Sequence, residues 1–233
     1  MLEAALLAAL GDYEMQTAGK DPPPLAQAAP ALEVDANYQG GVESRWFART
    51  GVAAALYNSG ATIAAGGVVV PGATVHIADD VTAMLDVGYN LTDRLAVQVM
   101  VGIPPRAAAV GKGSVAAFGT LGAVRLGPVI ATAVYRLPEY RGFRPYAGAG
   151  ATYVFILKNY DGAVTDLDVR GNWGPVLQAG LEYRVSRRLE LFADYKRLWV
   201  KVRADGMLGP APARARVALD PDLISAGLKL NFR

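Results

Sequence analysis

The feature that most restricts this chain is a two-residue alternation that returns in segment after segment. Val81, Ala83, Leu85, Val87, Tyr89 and Leu91 share one face, and Thr82, Met84, Asp86, Gly88 and Asn90 share the other. Successive side chains of a strand point to opposite faces, so this segment is a ribbon with one greasy side. A short turn, Thr92-Asp93-Arg94, leads into Leu95, Val97, Val99, Val101 and Ile103 opposite Ala96, Gln98, Met100 and Gly102. The pattern recurs at 147–157, 176–185, 189–196 and 223–232, with weaker versions at 46–57 and 129–136. Each of these eight segments is close to the ~9–11 residues that a tilted strand needs to cross a bilayer.

Two architectures bury such a face. A soluble sandwich would hide it in a core and show water a face rich in Lys and Glu. Here the second face carries mainly Gly, Ala, Ser, Thr and Gln with scattered charges, as a crowded bore would. The chain is 52% hydrophobic, yet its longest charge-free stretch, Thr50 to Val75, is broken by Asn58, Ser59, Gly60, Gly66, Gly67, Pro71 and Gly72. No spanning helix fits there, so entry into a bilayer requires a closed barrel, whose backbone groups all pair internally. The expected fold is therefore all-β: an eight-stranded antiparallel transmembrane β-barrel over residues 44–233, with short periplasmic turns and long external loops. The short turns fall at 92–94, 137–142 and 186–188, and the long loops at about 58–79, 104–120, 158–172 and 203–220. Trp46, Tyr89, Tyr183 and Phe232 then form a periplasmic aromatic girdle, and Tyr153, Phe155, Trp173 and Trp199 an external one. The expected location is the outer membrane.

Residues 1–43 are read as processed or unstructured sequence, dominated by Pro and Ala at 22–31 and without a competent secretion signal. The absence of cysteine excludes thiolate metal sites and thiol nucleophiles. A net charge of +2 without a dense basic run gives no nucleic-acid groove. No cofactor is expected. A full barrel leaves no edge that needs a partner, which predicts a monomer surrounded by outer-membrane lipid.

Height along the strands sorts the bore. The inward residues of the external half include Met84, Met100, Val129, Ala131, Val154, Val176, Leu198, Val200 and Leu223. The periplasmic half holds Arg49, Asp86, Arg94, Glu182, Arg184, Asp194 and Lys196, joined by Asn90, Glu190, Lys229 and Asn231. An eight-stranded bore is narrow enough for side chains to fill, and buried charges must pair. The lower half is expected to be an ion-paired plug, and the upper half an apolar pocket for a small hydrophobic solute. A solute stopped by the plug would leave sideways, where Pro128, Pro145 and Pro175 lack an N–H for the strand ladder.

Phe143-Arg144-Pro145-Tyr146-Ala147-Gly148-Ala149-Gly150, followed by Tyr153, resembles the OmpW/AlkL family of outer-membrane barrels. Trp173-Gly174, Leu177-Gln178-Ala179-Gly180, Gly88-Tyr89 and Asp220-Pro221 fit the same family in order. The resemblance implies a monomeric eight-stranded barrel that passes small hydrophobic molecules. Two positions depart from the family pattern: Phe232 is followed by Arg233, and Leu126-Gly127-Pro128 stands where two consecutive prolines are common. A receptor barrel with ligand-binding loops is the second function class. An outer-membrane lipid hydrolase is the third, and would need His76, the only histidine, beside a serine and a carboxylate.

Overall fold

The computed structural model describes residues 45–232, and the expectation for residues 1–43 lies outside them. In chain order the strands are β1 (Trp46–Tyr57), β2 (Gly60–Ala65), β3 (Val68–Val69), β4 (Ala73–Ile77), β5 (Asp80–Asn90), β6 (Leu95–Gly102), β7 (Arg106–Gly113) and β8 (Thr120–Arg136). They continue as β9 (Phe143–Asp161), β10 (Val164–Arg170), β11 (Trp173–Arg184), β12 (Leu189–Leu198), β13 (Lys201–Leu208), β14 (Ala211–Ala218) and β15 (Pro221–Phe232). Eight of them close an antiparallel barrel in the order β1-β5-β6-β8-β9-β11-β12-β15, with β15 returning to β1.

Turn chemistry sets the periplasmic end. Thr92 Oγ1 accepts the backbone N–H groups of Arg94 and Leu95, and Ser186 Oγ accepts those of Arg188 and Leu189. Each hydroxyl mimics a backbone turn, so Thr-Asp-Arg-Leu and Ser-Arg-Arg-Leu both reverse the chain in a few residues. The alternation then fixes the faces. Leu85, Val87, Val97, Val99, Leu177 and Leu191 are exposed on the outside, while Met84, Asp86, Gln98, Met100, Gln178 and Asp194 are buried within. Aromatic pairs mark both rims: Trp46–Tyr89 and Phe143–Tyr183 below, Tyr153–Phe155 and Tyr153–Trp173 above.

The long external loops are corrected by the structure. They are strands. β8 and β9 rise past the barrel paired to each other, β8 pairs with β7 and β7 with β4 on one side, and a second sheet runs β10-β13-β14-β2-β3 on the other. Side chains rather than a backbone ladder join β2 to β4: Ser59 Oγ accepts the Ile77 N–H (2.9 Å), and Thr74 Oγ1 accepts that of Ala61 (3.2 Å). The two sheets enclose a chamber above the barrel, packed with Ile63, Val75, Ile77, Val169, Val202 and Val217. The alternation was present in these segments with its polarity reversed, as in Ala213-Arg214-Ala215-Arg216-Val217, where Ala213 and Val217 are buried and both arginines exposed.

Candidate functional site

The barrel interior is layered by height. In the lowest layer Glu182 receives Arg136 (3.1 Å) and Lys229 (3.0 Å), and Lys229 also reaches Glu190 (2.9 Å). Arg136 donates to Asn90 (2.7 Å), and Asn231 to Glu190 (3.0 Å). The Phe47 ring lies among these cations, 4.9 Å from the Lys229 ammonium. Gly88 makes room for it, since a Cβ there would stand 2.0 Å from the ring.

Asp194 is the hub of the next layer. It accepts Arg49 (2.7 Å), Lys196 (2.8 Å), Ser225 (2.6 Å), Gln178 (2.8 Å) and Tyr146 (2.9 Å). Arg49 also donates to Gln98 (3.1 Å), stands 3.5 Å from Asp86, its cross-strand neighbour, and stacks 3.8 Å from the Phe192 ring centre. Thr132 and Gln98 both donate to Gln178 Oε1, at 2.8 and 3.0 Å. Among the described residues the buried charged ones are Arg49, Arg136, Lys196 and Lys229 against Asp86, Glu182, Glu190 and Asp194, four of each sign. A buried ion needs a partner and further hydrogen bonds; Asp194 has both, whereas Asp86 has the Arg49 contact at 3.5 Å and a hydrogen bond to neither of its oxygens.

Above the ions the bore turns apolar. Met84, Met100, Ile130, Val176, Phe192, Leu198 and Leu223 form one buried cluster. Of the sequence candidates, Met84 and Val176 belong to this solid layer. Met100, Leu198 and Leu223 belong to it too and, with Val154 and Val200, line a cavity of about 50 Å³. That cavity reaches the barrel wall at Thr82, Gly102, Ile103, Pro105 and Pro128. The chamber above holds a second cavity of about 100 Å³, lined by Ile63, Val75, Ile77, Leu167, Val202 and Val217 among others. Leu126 and Leu219 line both cavities and so stand between them.

The strand pairing of the wall is irregular beside the lower cavity. The β6–β8 ladder ends at Val101↔Val129, and backbone bonding along β8 resumes with the Leu126 N–H on the Pro105 carbonyl (3.2 Å), next to Arg106↔Arg125. Ile103-Pro104-Pro105 crosses the interval. Pro128, inside it, has no N–H to give. Pro145 and Pro175, expected to weaken the wall as well, sit in uninterrupted ladders opposite Leu181 and Ala151.

Four further expectations are corrected. Arg94 is exposed in the periplasmic turn, near the Tyr135 hydroxyl (3.5 Å), and is no part of the plug. Arg184 pairs with Glu139 (2.8 Å) at the rim. Both lie at strand ends, where water solvates a guanidinium more cheaply than the bore can. Val129 and Ala131 face out or stand half-buried, whereas Ile130, Thr132, Val134 and Arg136 are buried inside. β8 is apolar on both faces above Thr132, which hides its phase. Arg49, Asp86, Glu182, Asp194 and Lys196 lie in the plug, joined by Gln98 and Gln178, which the alternation puts on the inward face, and by Arg136 and Tyr146, which it does not mark. His76 is exposed on β4 opposite Val110, and bonds neither serine nor carboxylate among the described residues.

A closed eight-stranded barrel, girdled by aromatics at two heights and filled with paired ions, defines an outer-membrane β-barrel protein. Residues 43–232 match the OmpW family, and the chain belongs to that family. It is 33% identical over 190 residues to the dibenzothiophene metabolism operon protein PahQ of Pseudomonas aeruginosa, covering 82% of this chain and 90% of that one. Outer membrane protein AlkL of Ectopseudomonas oleovorans is 32% identical over 167 residues, covering 72% and 73%. The solid-state NMR structure of AlkL in lipid bilayers superposes with a TM-score of 0.66 at 27% identity, covering 92% of this chain and 97% of that one. The crystal structure of OprG from Pseudomonas aeruginosa gives a TM-score of 0.76 at 17% identity, covering 82% and 96%, which speaks for the fold alone.

Proposed function

We propose that this barrel takes up small hydrophobic molecules through its external chamber and releases them sideways into the membrane. The observation that carries the reading is the sequence of spaces. Leu126 and Leu219 divide an almost wholly apolar cavity from a second one, which ends at the interrupted wall beside Pro128 and above an ion-paired floor. A greasy solute gains about 25 cal/mol for each Å² of apolar surface it hides from water in the chamber. Passing down the bore would mean separating Arg49, Lys196 and Asp194, a cost no apolar group repays. The exit between β6 and β8 breaks no complete ladder and leads straight to acyl chains. Both cavities are smaller than the ~300–1,000 Å³ of typical ligand pockets, so passage requires the aliphatic lining to move. The lining is made of flexible Leu, Ile and Val tips, which suits that need. PahQ bears the name of a dibenzothiophene operon, which makes a flat aromatic heterocycle the first solute to try.

Leu126→Trp places a rigid bicyclic group between the two cavities, away from the ionic layers. Cells carrying it are expected to take up dibenzothiophene no faster than cells lacking the protein, while the barrel still assembles. Uptake equal to that of the natural chain would refute the route.

A further inference from the structure

We propose that Arg106, Arg125 and Lys158 form a docking site for a phosphorylated lipid headgroup of the outer leaflet. The register sets the three side by side: Arg106 is directly opposite Arg125 on β7 and β8, and Arg125 is directly opposite Lys158 on β8 and β9. All three are exposed on the outer face. Like charges placed directly opposite one another destabilise a sheet, and here two such pairs adjoin. No carboxylate pairs with any of them among the described residues. The other cross-strand arginine row, Arg170-Arg203-Arg216, differs: Arg170 holds Asp168 at 3.0 Å.

A bulge builds the row. Arg125 pairs with Lys158 but Leu126 with Ile156, so β9 carries one extra residue at Leu157. Simple alternation from Phe155 and Leu157 would turn Lys158 inward. The extra residue brings Lys158 out beside Arg125, as bulges re-aim side chains elsewhere. Tyr160 then gathers the cations, its ring centre 4.5 Å from the Arg106 guanidinium and 5.1 Å from the Lys158 ammonium. Three positive groups converge over a span of about 10 Å, given ~4.5–5.5 Å between paired Cα atoms.

Height selects the occupant. Phe155 of the external girdle is three positions below Lys158 on the same strand, so the cations stand within about 10 Å of the acyl boundary. That is the headgroup layer, where phosphates of outer-leaflet lipid lie and basic side chains gain from them. Guanidinium groups bind phosphate oxygens in pairs, and a phosphorylated headgroup offers enough acceptor oxygens for both arginines.

The test uses the full chain in nanodiscs of phosphatidylcholine, titrated with bis-phosphorylated lipid A and followed by native mass spectrometry. Arg106→Gln, Arg125→Gln and Lys158→Gln together are expected to weaken binding at least about tenfold. Enzymatically dephosphorylated lipid A should bind the natural chain as weakly. Inorganic phosphate at the same concentration should not compete. Arg203→Gln with Arg216→Gln serves as the control and should bind like the natural chain. Heat-dependent gel migration verifies that each variant is folded. Unchanged affinity in the folded triple variant would overturn the proposal. So would equal binding of the phosphate-free lipid, equal loss in the control variant, or full competition by inorganic phosphate.

Discussion

The transmembrane barrel and the external chamber are made of the same period-two strands, with opposite polarity. In the barrel Leu85, Val99 and Leu191 face out, while Asp194, Lys196 and Gln178 fill the bore. In the chamber Val202, Ala213 and Val217 face in, and Arg203, Arg214 and Arg216 face out. β12 and β13 meet at the changeover: Lys196 is buried inside below it, Lys201 exposed outside above it. The pleat is the same in both, so the surrounding solvent determines which face must be oily. Lipid demands an apolar exterior and leaves the interior to paired ions. Water demands a charged exterior and leaves the interior dry enough to hold a hydrophobic solute.

The largest effect is expected where one region hides a charge and the other exposes it. Asp194→Ala strips Arg49 and Lys196 of their shared carboxylate inside the bore. Breaking such a buried set costs about 3–5 kcal/mol. Asp205→Ala removes the partner of Arg214, 3.3 Å away on the chamber's outer face. Exposed pairs contribute ~0–1 kcal/mol, so this change should hardly register. Urea titration of protein folded into lipid vesicles, followed by tryptophan fluorescence, measures both. Equal losses would mean that the chamber's surface pairs are as sheltered as the plug.

Solvent polarity can be tested by placing the same cation outside each region. Val99→Arg sets a guanidinium against acyl chains near mid-membrane, at about 2–4 kcal/mol. Val68, on the chamber's β3, is 71% exposed, and Val68→Arg should stay within about 0.5 kcal/mol. The same titration separates them. A cheap Val99→Arg would mean that this face does not meet lipid.

Much of the barrel was legible because apolar residues recur at every second position on the lipid face of β5, β6, β11 and most of β15, and of β12 as far as Tyr195. β8 was not, because Leu126-Gly127-Pro128-Val129-Ile130-Ala131 carries no polar residue to mark a face. Arg136, four residues beyond Thr132 and thus on the same face, was the available signal. The chamber strands are hidden in the sequence, since charged alternation near Gly and Pro reads as solvated loop. Two charged pairs of the plug are cross-strand or same-strand neighbours, Arg49 with Asp86 and Asp194 with Lys196, and pairing was inferable from parity alone. The amide bridge of Gln98 and Gln178 was not, because β6 and β11 are not adjacent strands and meet only across the closed bore.

The smallest effect concerns how tightly each interior is packed. At Gly180 an added Cβ would stand 2.4 Å from the Tyr146 ring and 2.6 Å from the Asp194 Cβ, both locked in the ionic layer. Gly180→Ala therefore overpacks the bore, at about 1–3 kcal/mol. At Gly122 the added Cβ would approach the Leu167 Cδ2 at 2.5 Å, as close as in the bore. Leu167, however, is a flexible tip bordering the 100 Å³ cavity, into which it can turn. Gly122→Ala should cost less than about 1 kcal/mol. A chamber that yields at Gly122 while the bore resists at Gly180 has the compliance that solute passage needs. Equal penalties in the two titrations would show both interiors to be equally rigid, and would leave the upper cavity no means of enlarging around a guest.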